Sequence, residues 1–293
     1  MIRFLLNPAG GGGKALRHRA RLEALAREHG GELQLSEGPA DLTEKARQAV
    51  RDGVLRLFVC GGDGTQNLAL QGLVGTPCAL VPLPGGSGND IVAALGLPMD
   101  LEAAAAAALS APLRAIDVVR VGQRTYAGIA GTGFDAAANE TANRVKRFRG
   151  PWIYLYAVLH TLATFRAPTV RVRWQGGEIE EKAMLVVAAN GPRFGGGMRV
   201  APDALLDDGL LDLVMVRAVS KATFLRIFPR VYKGAHCSHP AVFTARSPWA
   251  EIEVDRPLAV YGDGERFGPV PAGGARFEVV PGALRVPDLR PAL

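Results

Sequence analysis

The sequence predicts an α/β fold of two domains: an N-terminal doubly wound parallel sheet and a C-terminal, mainly antiparallel β-sandwich, with the active site in the cleft between them. Over the first 120 residues, continuous apolar strands without polar alternation are separated by helices. Such strands are typical of a parallel sheet covered on both faces. Later strands are short, closely spaced and often alternating, which is typical of antiparallel sandwiches. Glycine clusters follow the N-terminal strands, at the sheet edge where ligands bind.

The N-terminal domain is predicted to span residues 1–122. Its strands are short apolar runs that end at turn residues, at 2–6, 33–35, 55–60 and 78–83. Helices are expected where apolar and charged residues follow helical spacing or where alanine dominates, at 14–29, 41–50, 65–73, 89–95 and 101–109. This regular alternation of strand and helix predicts the parallel sheet.

The C-terminal domain is predicted to span residues 123–280, with 281–293 returning to the first domain. Its strands are expected at 169–174, 183–189, 210–216, 251–254, 258–261 and 275–280. Helices are expected at 135–148, 152–165 and 221–232. No repeat or low-complexity linker separates the halves, so we expect them to pack together around a cleft.

Composition limits the class of protein before any motif is considered. The chain has 293 residues, is 48% hydrophobic, and carries a formal net charge of +6, which favours anionic partners without choosing among them. Its three cysteines are far apart in sequence, which predicts a reducing, cytoplasmic location and no disulfide framework. No apolar run approaches the roughly 20 residues of a spanning helix, so a soluble protein is expected.

The first glycine turn occupies residues 7–14, Asn-Pro-Ala-Gly-Gly-Gly-Gly-Lys. Glycine lets backbone N–H groups approach phosphate oxygens, and the following helix adds its positive end. The run departs from the P-loop pattern because Ala15 follows Lys14. It fits a dinucleotide fingerprint loosely, with Glu37 at about the right distance. A tight strand–helix turn that binds no ligand remains an alternative interpretation of this run.

Two further turns follow the third and fourth strands. Residues 61–67 read Gly-Gly-Asp-Gly-Thr-Gln-Asn, so Asp63 stands between glycines that can cradle phosphate while the carboxylate faces a metal. Thr65 is expected to cap the next helix. Residues 84–90 read Pro-Gly-Gly-Ser-Gly-Asn-Asp, where Ser87 offers a hydroxyl and Asn89 a helix cap. All three turns meet at one sheet edge, which predicts a nucleotide site.

These motifs resemble the diacylglycerol kinase catalytic-domain family, which includes bacterial diacylglycerol kinases and sphingosine kinases. The likeness covers essentially the whole chain, because later motifs follow in the family's order: Gly131-Thr132-Gly133-Phe134-Asp135-Ala136, Leu206-Asp207-Asp208-Gly209-Leu210-Leu211-Asp212 and Asp263-Gly264-Glu265. The resemblance implies an ATP- and Mg²⁺-dependent lipid kinase. Diacylglycerol is the favoured acceptor, phosphatidic acid the product, and 123–280 the lipid-binding domain.

The resemblance also implies roles for individual residues. ATP would be bound by Asn7, Pro8, Ala9, Gly10, Gly11, Ser36, Gly62, Asp63, Gly64, Thr65, Gln66, Asn67, Leu68 and Ser87. Asp63 would also help to hold the nucleotide's Mg²⁺, and Glu265 would accept the proton of the lipid hydroxyl. A second, structural Mg²⁺ would be held by Asp208 and the carbonyls of Leu205 and Leu210. The family commonly has an acid where Leu68 stands, which is a departure in this chain.

Other functions remain as alternatives. NAD kinase is the second candidate, since it shares the Gly-Gly-Asp-Gly-Thr turn; residues 87–90 and the late Asp-Gly-Glu motif favour the lipid kinase. A catalytically silent binding protein is disfavoured because Asp63 and Glu265 are both present. A dehydrogenase is disfavoured at the second glycine fingerprint, 131–136, because no acid follows between residues 141 and 177.

A basic and aromatic stretch at 144–156 suits an anionic membrane surface, although a solvated helix end followed by a core helix explains it equally well. A lipid substrate implies peripheral contact with the inner face of the membrane. No nucleic-acid module is present, so nucleic acid is not expected as a partner. The sequence leaves the oligomeric state open, a homodimer included.

Overall fold

The computed structural model describes residues 1–144 and 160–290. In the N-terminal part, four parallel strands form one sheet in the order β2-β1-β3-β4: β1 (Ile2–Leu6), β2 (Glu32–Leu35), β3 (Arg56–Gly61) and β4 (Ala79–Pro84). A 3-10 segment, Gly10–His18, precedes the helices α1 (Arg19–Glu28), α2 (Pro39–Arg51), α3 (Asp63–Leu73), α4 (Asp90–Ala94) and α5 (Leu101–Ser110).

This sheet forms because its central strands are apolar on both faces. Along β3 and β4 nearly every side chain is buried, and β1 is buried after its first residue. Phe4 and Phe58 stack between neighbouring strands with ring centroids 4.6 Å apart. Helices must therefore cover both faces, and they do so with small or aliphatic residues such as Leu22, Ala46 and Leu70.

Eleven strands in the described part of the chain form the antiparallel structure. They are β5 (Leu113–Val121), β6 (Arg124–Tyr126), β7 (Ile129–Gly133), β8 (Thr169–Trp174), β9 (Gly177–Ala189), β10 (Leu211–Arg217), β11 (Val242–Ser247), β12 (Trp249–Val254), β13 (Ala259–Gly262), β14 (Glu265–Pro269) and β15 (Ala275–Pro287). The first half of β9 pairs with β8, and its second half pairs with β7 and β10, so this one long strand passes from one layer of the sandwich to the other.

Helices and a 3-10 segment complete the C-terminal part: α6 (Phe134–Arg144), α7 (Lys221–Ile227) and the 3-10 segment Phe228–Lys233. Residues 160–164 are also helical. Within the described residues, no helix is both long and apolar enough to cross a bilayer.

Strands β5 and β15 connect the two halves. They pair along most of their length, with an irregularity between Val280 and Leu284. Ile116 from β5 and Leu284 and Val286 from β15 belong to the core that the N-terminal sheet and helices share. The structure therefore packs an edge of the antiparallel part against the N-terminal core; the limits at residues 122 and 281 stay a prediction.

The predicted fold class is confirmed, with helices around a parallel sheet followed by an antiparallel sandwich. Five observed strands were not predicted: β5, β6, β7, β11 and β14. The predicted helix at 221–232 forms an α-helix only as far as Ile227 and then continues as a 3-10 segment. The basic and aromatic stretch at 144–156 lies outside the described residues, apart from Arg144 at the end of α6.

Candidate active site between the two domains

The three glycine turns meet backbone to backbone at the carboxyl edge of the parallel sheet. Gly85 N donates to Gly61 O at 3.1 Å, which joins the third turn to the second. A methyl group at Gly86 would collide with the backbone of Gly62, and one at Gly11 would lie 2.7 Å from Gly85 O. Side chains at these positions would push the turns apart, so the close approach explains why the sequence has glycine there.

Asn7 ties the first turn to the second through its side-chain amide. Its Nδ2 donates to Thr65 Oγ1 at 2.9 Å, and its Oδ1 accepts from Ala9 N at 3.1 Å. The prediction that Thr65 caps α3 is wrong, because α3 begins at Asp63 with Gly62 as its N-cap. Thr65 is buried inside the first turn of that helix, where its hydroxyl accepts the hydrogen bond from Asn7.

Asp63 holds the third turn in place. Its Oδ2 accepts from Asn89 N at 2.9 Å, and its Oδ1 accepts from Asp90 N at 2.6 Å. The carboxylate therefore caps α4 from the first residue of α3. The predicted cap, Asn89, has a left-handed backbone, and its side chain bonds Gly86 instead. Asn89 therefore occupies the N-cap position, as predicted, but its side chain makes no capping hydrogen bond, and the carboxylate of Asp63 accepts from Asn89 N and Asp90 N.

The surroundings of Asp63 are electronegative and shielded from water. The pKa of Asp63 is raised to about 6, chiefly by burial and also by the nearby negative charges of Asp90 and Asp263. A cation placed among these carboxylates would relieve their mutual repulsion. No cluster of three or more His, Cys, Asp or Glu within 1–144 and 160–290 could hold a metal ion by itself. Mg²⁺ commonly takes only one or two carboxylates and completes its shell with phosphates and water. Asp63 together with bound phosphates would therefore fit Mg²⁺.

Glu265 reaches the same place from the C-terminal domain. Its carboxylate lies against Gly64, where a methyl group would collide with it. Gly264 also lies near Gly64, since a methyl group there would be 3.1 Å from Gly64 N. Burial raises the pKa of Glu265, and the positive charge of Arg124 opposes that rise. The structure therefore places Glu265 against the residue that follows Asp63, across the boundary between the two domains.

Asp263 fixes the turn between β13 and β14 that carries Glu265. It adopts a positive φ of 45° and accepts hydrogen bonds from the backbone N–H groups of Ala127, Gly128 and Ile129 at 3.0, 3.1 and 3.0 Å. Burial raises its pKa, while these three donors act in the opposite direction. Sequence reasoning quoted this residue as part of a motif but gave it no role.

A cleft of about 550 Å³ opens beside these carboxylates. Residues of both halves line it, among them Asp63, Ser87, Asp90, Ala127, Gly191, Arg193, Phe194, Tyr261 and Gly264. Asp90 bridges the halves, since its Oδ2 accepts from Gly196 N at 3.0 Å and its Oδ1 from Gly197 N at 3.1 Å. Arg193 and Asp90 are contributions that sequence reasoning missed.

A second, smaller cavity of about 80 Å³ lies within the C-terminal domain. Its walls are almost entirely apolar: Phe134, Ala138, Leu185, Val187, Phe194, Met198, Val200, Val214, Val216, Phe224, Ile227, Phe228, Val231 and His236. Phe194 lines both this cavity and the cleft beside Asp63. Burial lowers the pKa of His236, so the ring is neutral at physiological pH, and its Nε2 is 3.0 Å from Val200 O.

The other predicted nucleotide residues occupy different environments. Ser36 is buried, and its hydroxyl has no partner among the described residues. Gln66 Nε2 donates to Val59 O at 2.8 Å, and Asn67 Nδ2 to Thr125 O at 3.0 Å. Leu68 packs into the N-terminal core and offers no polar side-chain group. Their roles in nucleotide binding stay predictions.

The predicted second metal site lies on the loop before β10. Asp208 Oδ1 accepts from Leu210 N at 3.0 Å, and Asp208 Oδ2 forms an ion pair with Arg246. Leu205 is 55% exposed. Oxygen donors of this kind suit Mg²⁺. An ion at Asp208 would have to compete with Arg246 for the carboxylate, and this site stays a prediction.

Comparisons with known proteins agree with this architecture. Residues 1–121 match the model of the diacylglycerol kinase catalytic domain, and residues 128–287 match the YegS C-terminal NAD kinase beta sandwich-like domain. The described fold superposes on a diacylglycerol kinase crystal structure from Bacillus anthracis str. Sterne with a TM-score of 0.72. That match has 20% identity and covers 98% of this chain and 96% of the other.

Two sequence relatives extend the match along the whole chain. A diacylglycerol kinase from Mycobacterium tuberculosis is 36% identical, over 99% of this chain and 95% of that protein. A Pseudomonas fluorescens protein named "Probable lipid kinase YegS-like" is 32% identical, over 94% and 92%. The fold and these matches define a phosphotransferase of the lipid kinase class. The chain belongs to the diacylglycerol kinase catalytic-domain family, as its motifs predicted.

Proposed function

We propose that this protein transfers the γ-phosphoryl group of ATP, with Mg²⁺, to the hydroxyl of diacylglycerol and so produces phosphatidic acid. The observation that carries the proposal is the contact of the Glu265 carboxylate, from the C-terminal domain, with Gly64, the residue that follows Asp63. Asp63 lines the cleft, and so does Gly264, the residue before Glu265. Membership of a kinase family supports ATP as the phosphoryl donor. The geometry supports a donor held by the N-terminal turns and an acceptor approaching from the C-terminal side.

The glycine turns would hold the triphosphate. Glycine residues carry no side chain that would keep phosphate oxygens away from the backbone amides. Asn7 and Asp63 keep the three turns in register. Asp63 and the phosphates would hold Mg²⁺, which neutralises charge on the transferring group. Burial raises the pKa of Asp63 and so disfavours its ionised form. A bound cation would act in the opposite direction, because a nearby positive charge lowers the pKa of a carboxyl group.

Glu265 would act as the general base. Its carboxylate would accept the proton of the acceptor hydroxyl while that oxygen bonds to the γ-phosphorus and ADP leaves, and the proton would pass to solvent afterwards. The raised pKa of Glu265 makes it a better proton acceptor than an exposed glutamate. Positioning and charge neutralisation then provide most of the catalysis, as is usual for phosphoryl transfer.

The apolar cavity supports a lipid acceptor. It begins at Phe194, which also faces the cleft, so a molecule with its hydroxyl near Glu265 could direct a hydrocarbon segment toward the C-terminal core. At about 80 Å³ the cavity holds only a few methylene groups as described. A full acyl chain would require side chains such as Phe224 to move. We also propose that the protein works at the cytoplasmic face of the membrane, where such lipids are found.

A direct test is to incubate the protein with γ-labelled ATP, Mg²⁺ and separate acceptors: diacylglycerol, sphingosine, phosphatidylglycerol, a polyprenol and NAD. We expect label in phosphatidic acid. Asp63→Asn and Glu265→Gln should each lose this labelling. Label in NAD alone would contradict the proposal and favour the second candidate, NAD kinase, to whose β-sandwich the C-terminal match refers.

A further inference from the structure

The segment Lys221–Lys233, which comprises α7 and the following 3-10 segment, is amphipathic. Phe224, Ile227, Phe228 and Val231 recur at helical spacing on its inner side and line the apolar cavity. Between them, the outer positions are exposed. The segment therefore forms one wall of the cavity and also a piece of the protein surface.

The outer side combines two large apolar groups with cations. Leu225 is 51% exposed and Tyr232 is 52% exposed. The whole segment contains Lys221, Arg226, Arg230 and Lys233 and no acidic residue. Exposed leucine and tyrosine side chains flanked by cations are typical of segments that lie in the interface of an anionic membrane.

Among the described residues, these cations have no acidic partner. Lys221 Nζ donates to a backbone carbonyl, Ala163 O, at 2.6 Å. Arg226, Arg230 and Lys233 form no ion pair with any residue in the described ranges. The adjoining loop adds another exposed cation, Arg199, whose backbone N–H donates to Val231 O at 2.9 Å, and one exposed acid, Asp203. The surface therefore keeps a clear positive excess.

We propose that the outer face of Lys221–Lys233 is a membrane-docking surface that binds bilayers containing anionic lipid. Arg226, Arg230 and Lys233 would lie among the anionic head groups, and Leu225 and Tyr232 would enter the interface. Because the inner face of the same segment lines the apolar cavity, docking there would place the cavity wall against the lipid. Only this last point rests on the proposed function; the docking itself does not.

The test uses the full-length protein and sedimentation with vesicles. One vesicle preparation contains phosphatidylcholine with phosphatidylglycerol, and the other contains phosphatidylcholine alone. The charge variant is Arg226→Gln, Arg230→Gln and Lys233→Gln. Each cation near an anionic surface typically contributes about fivefold in partition, so we expect the loss of three to weaken binding to the anionic vesicles by about a hundredfold. The loss should shrink as salt is raised.

The matched control removes the same net charge from elsewhere. Arg27→Gln, Arg47→Gln and Arg285→Gln alter exposed side chains outside the segment and outside the candidate site. This control should partition within a few-fold of wild type. The double variant Leu225→Ser and Tyr232→Ser should bind more weakly than wild type while keeping its salt dependence. Equal losses in both charge variants, or equal wild-type binding to the two kinds of vesicle, would overturn the proposal.

A second readout separates docking from catalysis. On a short-chain diacylglycerol that is dissolved as monomers, the charge variant should turn over like wild type, because none of the three side chains lies in the cleft. On diacylglycerol within anionic vesicles it should be slower by about the loss in binding. If wild type binds these vesicles but phosphorylates no lipid, the proposed function fails and the docking surface stands. Equal slowing on both substrates would contradict docking as the role of this segment.

Discussion

The carboxylate of Asp63 has two roles: it caps α4, and it is the proposed ligand of the nucleotide's Mg²⁺. It caps α4 by accepting from Asn89 N and Asp90 N, and it also stands among other carboxylates in a partly buried cleft. The capping hydrogen bonds stabilise its ionised form, but burial and like charge outweigh them. The proposed metal–nucleotide complex would remove this conflict, so the residue should behave differently in the free and loaded protein.

We therefore predict that Asp63→Asn changes the pH dependence of stability. The native pKa, about 6, lies above the unfolded value near 3.8, so the native state binds this proton more tightly. The resulting stabilisation is complete below about pH 4 and is lost as pH rises through about 6, a change of up to about 3 kcal/mol. Urea unfolding from about pH 4 to pH 7 should show this slope in wild type and lack it in the variant.

The pH dependence of stability in wild type and in Asp63→Asn can also contradict this prediction. If wild type and Asp63→Asn lose or gain stability in parallel across this pH range, the carboxylate is not held in the unfavourable environment described above. The same variant should also lose affinity for the Mg²⁺–ATP complex, which calorimetric titration would measure independently of any acceptor.

Glu265→Gln should separate binding from chemistry. The amide preserves the shape beside Gly64 but cannot accept the proton, so kcat should fall by about 10²–10⁴-fold while the Kd for ATP changes little. Glu278→Gln is a suitable control, because Glu278 is a half-buried residue of β15 that pairs with Arg120 and does not line the cleft. Turnover of Glu265→Gln at the wild-type rate would remove the residue from its proposed role.

At the scale of elements, the turn between β13 and β14 is the part that delivers Glu265. Asp263→Ala should leave the N–H groups of Ala127, Gly128 and Ile129 without their acceptor, at a cost of about 1–3 kcal/mol for each that stays buried and unpaired. Both the free energy of unfolding and kcat should fall, since the turn would no longer be fixed against Gly64. Unfolding curves and turnover of the same preparations test this.

A matched control for that prediction is Asp255→Ala. Asp255 also accepts from a backbone N–H, that of Thr169 at 2.9 Å. It is exposed, however, and it does not line the cleft. It should cost less stability and leave kcat unchanged. An Asp263 variant that unfolds like wild type would show that the three hydrogen bonds do not fix the turn.

The elements also show how far sequence reasoning reaches. The parallel sheet was predictable because β1, β3 and β4 are largely apolar, without polar alternation, and are separated by helices, a pattern typical of a sheet covered on both faces. Strand β7 was not, because its Ile-Ala-Gly-Thr-Gly sequence has the composition of a turn and becomes a strand through pairing with β9. The caps were misassigned for a similar reason: Asp63 caps a helix that begins 27 residues later, and local sequence cannot show that contact.

For the whole molecule, the sequence predicted a cleft between two domains but not how the domains meet. The contact depends on pairs remote in sequence: Glu265 against Gly64, and Asp90 with the amides of Gly196 and Gly197. The exposed, positively charged face of Lys221–Lys233 could not be predicted for the same reason. Its pattern resembles an ordinary amphipathic helix until the cavity behind it is seen.

The central claim is that donor and acceptor are held together in one cleft and the phosphoryl group passes directly between them, with Glu265 as a base and not as a nucleophile. The stereochemical course at phosphorus tests it: ATP made chiral at its γ-phosphorus by sulfur and oxygen isotopes is used to phosphorylate diacylglycerol, and the configuration of the product is determined. A single in-line transfer predicts inversion. Retention would require a phosphorylated carboxylate as an intermediate and would contradict the account.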